Sequence, residues 1–582
     1  MAGFNKAATQ PRRVAPGGPL RTVSSTPDTV THEGAPGYTR DARSELFLRA
    51  TTRFAGEKAF YETADEGTDR LRELVRGLAT DDETWPWVRA FLSWLRGPGN
   101  IRTASLLLAA EAVHARLAAG KVGDGNRELI TSVLQRADEP GELLAYWKHR
   151  WGVIRDDGTA QLRLPKPVKR GVADAVTRLY DEAAFLRYDG EAKAVRFGDV
   201  LELTHANVRV PGAERSWQDD LFRWAITARQ GRDDAEPPES LTKVHLRHTL
   251  SRYAPDERHE LAWGALRGNQ VSLDLIQGAM VGQWEWLKPW LGEKPTRVEP
   301  ITNAEIWQLA APTMGYMALL RNLRNLDEAG VPDSVAGPLI TRLADPEQVK
   351  RSRQLPFRFW SAYREVQSLR WGHALEQALS HSLANVPILD GRTLVLVDTS
   401  GSMTYGELSS KSKMDYATAA AIFGLALKIR NPAGVDLWGF ANRQFHVTGV
   451  DRGTSLLRAV ETFRKSIGSV GGGTEIARAV SETLRDDHRR VIILTDLQTF
   501  GNVMHGYHIG DVDASAPRGV PIYAFNVAAY TASALPTQPG TNRYELGGLT
   551  DATFGLIPTL EARQAGRWPW EDRQAGRWPW EG

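Results

Sequence analysis

The first chemistry this chain offers is a set of oxygens at the end of an apolar run. In "LVLVDTSGSM" (Leu394–Met403), Asp398, Ser400 and Ser402 alternate just beyond a segment that reads as a buried strand. Two more oxygens stand in matching contexts downstream. Thr474 follows the glycine run Gly471–Gly473 and opens a helical pattern, and Asp496 ends the apolar segment "VIILTD". Two carboxylates and three hydroxyls make a hard-oxygen set. It suits Mg²⁺ or another divalent cation, which takes few carboxylates and keeps several waters.

Other chemistries fit these residues less well. A nucleophilic serine on a strand-to-helix turn presents Gly-x-Ser-x-Gly and a downstream histidine, whereas these serines sit in Asp-Thr-Ser-Gly-Ser. His488, His505 and His508 follow without a partner motif, so no catalytic residue is assigned and the chain is not expected to be an enzyme. The Gly-Gly-Gly-Thr turn lacks the Gly-Lys-Ser/Thr of a phosphate-binding loop. Helix capping accounts for any one of the five residues, but not for the set.

Basic clusters carry a second kind of chemistry. "RLPKPVKRGVADAV" places Arg163, Lys166, Lys169 and Arg170 around a helix start, where backbone N–H groups and the positive dipole end favour phosphate. In "LTKVHLRHTLSRY" a spacing of four puts Lys243 with Arg247, and His248 with Arg252, on one side of a helix. Solvated helix faces are often basic, so one cluster alone says little. Several clusters on a chain of net charge +2 point to local rather than global attraction for nucleic acid.

The elements that must position these residues differ along the chain. From Ser44 to about Ser382, segments such as "TDRLRELVRGLA", "WPWVRAFLSWLR" and "GYMALLRNLRNL" repeat apolar residues at three- and four-residue spacing. They predict an all-α array of paired helices, HEAT-like but without a clean sequence period. From about Val386, strands apolar on both faces alternate with helices and predict a doubly wound parallel sheet, whose ligands bind at the carboxyl ends of strands. The expected division is a flexible arm at 1–40, poor in large apolar residues; a helical-repeat domain at 41–385; an α/β domain at 386–560; and a tail at 561–582. In that tail "RQAGRWPWE" occurs identically at Arg563–Glu571 and Arg573–Glu581. It reads either as a bivalent motif anchored by Trp568, Trp570, Trp578 and Trp580 or as a duplication without function.

The 582 residues are 42% hydrophobic and 24% charged, ordinary for a soluble globular protein able to bury sizeable cores. The absence of cysteine excludes disulfides, thiolate metal sites and cysteine nucleophiles, and fits a cytoplasmic protein. The opening has no apolar leader and no run of about 18 apolar residues follows, so no membrane partner is expected.

The five-oxygen set resembles the metal-ion-dependent adhesion site of von Willebrand factor A domains: the DxSxS core falls on Asp398, Ser400 and Ser402, the threonine on Thr474 and the second aspartate on Asp496. "APGYTRDARSELFL", "LPKPVKRGVADAVTRLYDE", "FGDVLELTH" and "MGYMALLRNLRNLDEAGV" look like landmarks of the TROVE domain of the Ro60 autoantigen family, over roughly residues 33–560. The resemblance implies a multidomain protein of bacterial or phage type, with a HEAT-like helical ring followed by a von Willebrand A domain. It also implies Mg²⁺ at the adhesion site, completed by an acidic group from a partner. It makes His205 a contact for small noncoding Y-like RNA and puts Lys169 and Arg170 in a basic RNA-binding helix. Single-stranded 3′ ends of misfolded RNA would thread the ring, and an exoribonuclease such as polynucleotide phosphorylase is an implied partner. A monomer is expected, and DNA is not. The resulting expectation is a non-enzymatic ribonucleoprotein scaffold in RNA quality control or processing. The alternative is a scaffold that uses the metal site to bind proteins, without dedicated RNA binding.

Overall fold

The computed structural model describes residues 20–561 except 53–63, 124, 155–159, 162, 209–213, 232–234, 282, 353, 355, 367, 385, 407–413, 501–502, 505–506, 509–510 and 548–555, together with Trp568 and Trp570. The chain falls into two compact units, one drawn from residues 1–74, 355–357 and 382–582, the other from 75–354 and 358–381.

The second unit is built almost wholly of helices. Trp85–Arg96 shows why: Pro86 sits in the first turn, and Trp85, Val88, Phe91, Leu92 and Leu95 are buried at three- and four-residue spacing. Helices pack mainly on near neighbours in sequence, Asn126–Val133 on Lys166–Leu179, Phe197–Thr204 on Trp217–Arg229, and Pro255–Leu266 on Gln270–Met280. The first of these pairs is brought close by Gly171, where an added Cβ would stand 2.7 Å from the Arg127 carbonyl oxygen. A small antiparallel hairpin, Val153–Ile154 with Ala160–Gln161, interrupts the array just before the basic helix.

The first unit carries the expected α/β sheet. Its strands are β1 (Arg392–Asp398), β2 (Val435–Phe440), β3 (Gln444–His446), β4 (His488–Thr495), β5 (Ile522–Asn526) and β6 (Arg543–Gly547). Their spatial order is 6-5-4-1-2-3, parallel throughout except for β3, which runs antiparallel to β2 at one edge. Leu394, Leu396, Phe440, Ile493 and Ala524 share one core. Helix Tyr416–Arg430 is buried from Tyr416 through Leu427, which explains why it is apolar on every side. The strand order reverses between β1 and β4, the position at which open α/β sheets form a crevice.

The structure moves one expected boundary. Residues 20–40, anticipated as part of a flexible arm, are built into the α/β unit: Thr29–Val30 pairs with Pro36–Thr39, which pairs in turn with Ala532–Ser533. Helix Ala42–Thr52, expected to begin the helical array, packs on β6 instead. Few large apolar residues are needed for this, because strand pairing uses the backbone and one buried anchor fixes the segment. Arg40, 3% exposed, donates to Glu545 Oε2 at 2.7 Å and Oε1 at 2.5 Å, and to the carbonyls of Tyr530 and Thr531. Residues 1–19 of the expected arm, and most of the duplicated tail, lie outside the described residues.

Candidate functional site

The crevice between β1 and β4 gathers the sequence-predicted oxygens. Asp398 is the last residue of β1 and Asp496 follows the last residue of β4; both are almost completely buried. Asp398 accepts from the Ser400 backbone N–H at 2.9 Å through Oδ1 and from Thr495 Oγ1 at 2.6 Å through Oδ2. Ser400 stands at the N-terminal boundary of the short helix Gly401–Tyr405 without a side-chain capping bond, and its Oγ lies 3.3 Å from Ser402 Oγ. The third piece arrives through the glycine loop, where the Gly401 N–H donates to the Gly472 carbonyl at 2.7 Å. Thr474 is buried next in the chain, its carbonyl accepting from Thr499 Oγ1 at 2.8 Å and the Phe500 N–H at 3.0 Å.

The supports of this arrangement include residues that the sequence did not single out. Asn442, just after β2, accepts from the N–H groups of Gly472 and Gly473 at 3.0 and 2.9 Å, and so shapes the loop that delivers Thr474. Gly473 is required there, because a Cβ would stand 2.4 Å from Asn442 Nδ2 and 2.6 Å from the Phe500 ring. Leu497, directly after Asp496, adopts a φ of 60°, a strained conformation for a branched residue and one concentrated at functional turns. The N-terminal segment braces the same turn: Thr31 Oγ1 donates to the Thr499 carbonyl at 2.8 Å, and the His32 N–H to Gln498 Oε1 at 2.7 Å. Only Asn442 left a visible signal, a polar residue ending the strand "LWGFAN".

The electrostatics fit a cation. Burial pushes the Asp398 carboxyl above its ordinary range, against the opposing hydrogen bonds from Ser400 and Thr495. Burial and the neighbouring Asp398 charge push Asp496 up as well. Neither carboxylate has an ion-pair partner among the described residues, and the buried Asp496 Oδ2 accepts no hydrogen bond. Two converging buried carboxylates with an unsatisfied oxygen are costly unless a cation or a proton joins them. Among the described residues no group of three or more His, Cys, Asp or Glu side chains gathers to hold a metal. The candidate donors, two carboxylates and three hydroxyls, are all hard oxygens, which suit Mg²⁺ better than a transition metal.

In the helical unit the basic residues separate into two groups. Arg163, Lys166 and Arg170 are exposed and Lys169 half-buried at the start of helix Lys166–Leu179, and their side chains make no ion pair or hydrogen bond among the described residues. His205 is exposed at the end of the packed neighbour Phe197–Thr204, in the left-handed conformation at φ 55° that closes the helix. Lys243 is exposed at the start of Thr242–Ser251.

Arg247 and Arg252 do not join that reserve. Arg247 donates to the carbonyls of Ala279 and Met280 at 2.7 and 2.8 Å and to Gln283 Oε1 at 2.6 Å, and burial pushes its pKa down to about 10. Its guanidinium lies over the Trp286 ring and caps the end of Gln270–Met280, so it is corrected from an RNA contact to a structural anchor. Arg252 pairs with Glu236 at the surface. The four-residue spacing placed these side chains on a helix but could not say what packed against it.

The TROVE domain model matches residues 298–413. The RNA-binding protein RO60 of Deinococcus radiodurans is 27% identical over 320 residues, which span 49% of this chain and 58% of that protein. The chain is thus similar to a Ro60 protein over about half of its length. The crystal structure of the Deinococcus radiodurans RO (RSR) protein matches this chain with a TM-score of 0.55, covering 89% of the chain and all of that structure at 19% identity. That likeness supports the fold. The TROVE match crosses from the helical unit into the "DTSGSM" turn, so the Ro60 likeness touches both units. No helix among the described residues is long and apolar enough to cross a membrane.

Proposed function

We propose that this chain is an RNA-binding protein of the Ro60 family. The observation that carries the reading is the quartet Arg163, Lys166, Lys169 and Arg170, which gathers at a helix start without protein counter-charges among the described residues. Most arginines around it are spent: Arg102 and Arg136 on Asp138, Arg127 on Asp174, and Arg196 on Asp189. Cations kept unpaired beside backbone N–H groups are suited to phosphate. The name of the Deinococcus radiodurans relative supports the same ligand class.

The finer reading is a scaffold for Y-like noncoding RNA and single-stranded 3′ ends, with the exposed His205 as a further contact and an exoribonuclease as the enzyme brought to the RNA. The chain itself does no chemistry on RNA in this reading. Asp398, Ser400, Ser402, Thr474 and Asp496 would hold Mg²⁺, which when bound supplies a vacant coordination position for an acidic or phosphate oxygen. The orphan Asp496 Oδ2 supports a cation at this site, and only through that cation would an acidic partner group bind. Sequencing the RNA that copurifies with the protein tests the proposal. A small set of structured RNAs supports it, whereas random ribosomal fragments or no RNA at all contradict it. Incubating that RNA with the protein and Mg²⁺ is expected to leave its length unchanged.

A further inference from the structure

The duplicated tail meets the body of the protein at one described place. Trp568 and Trp570, from the first copy of "RQAGRWPWE", stack on each other with centroids 5.4 Å apart and planes 9° apart. Phe47, on helix Ala42–Thr52, lies 5.3 Å from the Trp568 ring and 6.0 Å from the Trp570 ring. Trp568 is 9% exposed and Phe47 8%, so the pair is seated rather than resting on the surface. Aromatic rings at such separations contribute beyond the area they bury.

The second copy repeats this ligand residue for residue, with Trp578 and Trp580 offset by ten from Trp568 and Trp570. A seat that recognises the first nonapeptide through its own side chains must recognise the second with the same intrinsic affinity. Reach does not forbid it. Glu561, held by Arg490 through a contact of 2.5 Å, fixes the chain ahead of the tail; Trp568 follows it by seven positions and Trp578 by seventeen. Loop closure alone then favours the first copy by a factor of about four, from the three-halves power of the ratio of those lengths.

We propose that the Phe47 seat is an intramolecular binding site that takes either copy of the repeat, with Trp578 and Trp580 replacing Trp568 and Trp570 in a minor register. One seat takes one copy at a time, so the two copies compete for it.

The test uses the full chain and a fluorescent peptide of residues 573–581, followed by anisotropy. A variant with all four tail tryptophans changed to alanine leaves the seat open and binds the peptide most tightly. Wild type binds it more weakly, because its tethered copies compete. The deciding variant is W568A/W570A, in which only the second copy competes. Its affinity should fall between the other two, with competition about one fifth of that in wild type. Identical affinities for W568A/W570A and the four-alanine variant would overturn the proposal, since the second copy would then never reach the seat. So would failure of the peptide to bind the four-alanine variant, or equal binding by its F47A derivative with an unchanged melting profile. Self-association of wild type that is lost with the tail tryptophans would also overturn it, by placing the tail in a second copy of the chain.

Discussion

Thr495 Oγ1 donates to Asp398 Oδ2 at 2.6 Å, tying the end of β4 to the end of β1 at the point where the strand order reverses. The contact orients a buried carboxylate that has no cationic partner among the described residues. Thr495→Val should therefore loosen the orientation without removing any of the five proposed metal oxygens. A loss of about 10–100-fold in Mg²⁺ affinity is expected from the disruption of such a supporting contact. Calorimetric titration reads it, and unchanged affinity would remove Thr495 from the site.

The two buried carboxylates give the metal-free protein a characteristic pH dependence. Both folded-state pKa values lie above the ordinary carboxylate value of about 4, so between that value and the raised ones the folded state holds more protons than the unfolded state. Their contribution to stability is present in full below about pH 4 and is lost as pH rises through the raised values. Melting in EDTA should show this decline, and Mg²⁺ at neutral pH should reverse it. Asp496→Asn removes one of the two like charges, so the metal-free variant should melt no lower than wild type at pH 8 and gain nothing from Mg²⁺. A Mg²⁺ response that survives in this variant would contradict the assignment.

The incorporation of residues 20–40 into the α/β unit rests on Arg40. Arg40→Met leaves Glu545 buried without its guanidinium, with a cost of about 3–5 kcal/mol to that unit. Arg489→Ala removes an exposed pair with Asp390 and should cost less than about 1 kcal/mol. Denaturant unfolding separates the two, and equal small effects would mean that the N-terminal segment contributes little.

How far the sequence foretold these features depends on what each one needs. The α/β sheet was legible because strands buried on both faces must be continuously apolar, and the approach of Asp398 to Asp496 because both fall at strand ends that such a sheet brings together. Thr495 was not legible and Asn442 showed only as a polar strand end, since their work depends on loops and strands meeting from distant parts of the chain. The N-terminal strands were missed because Gly, Pro and Thr do not announce backbone pairing to a partner about five hundred residues away. Arg247 shows the limit most clearly: its spacing from Lys243 matched a basic face, while its burial was set by Gln270–Met280.

Arg247 and the Lys166–Arg170 group should accordingly behave as opposites. Arg247→Ala strips hydrogen bonds from the Ala279 and Met280 carbonyls and should destabilise the helical unit by about 2–4 kcal/mol. Lys166→Ala, Lys169→Ala and Arg170→Ala together should leave the melting temperature nearly unchanged, because those side chains make no ion pair or hydrogen bond among the described residues. A large loss of stability in the triple variant would recast the cluster as structural.

RNA affinity as a function of salt tests the central claim most directly. Filter binding of a small structured RNA with a single-stranded 3′ end, from about 50 to 300 mM KCl, should show wild-type affinity falling steeply with salt. The Lys166, Lys169 and Arg170 triple alanine variant should bind more weakly, with the log–log slope reduced by about 2–3 for three lost phosphate contacts. Wild-type binding that is absent or indifferent to salt, or a triple variant matching wild type in affinity and slope, would contradict the account.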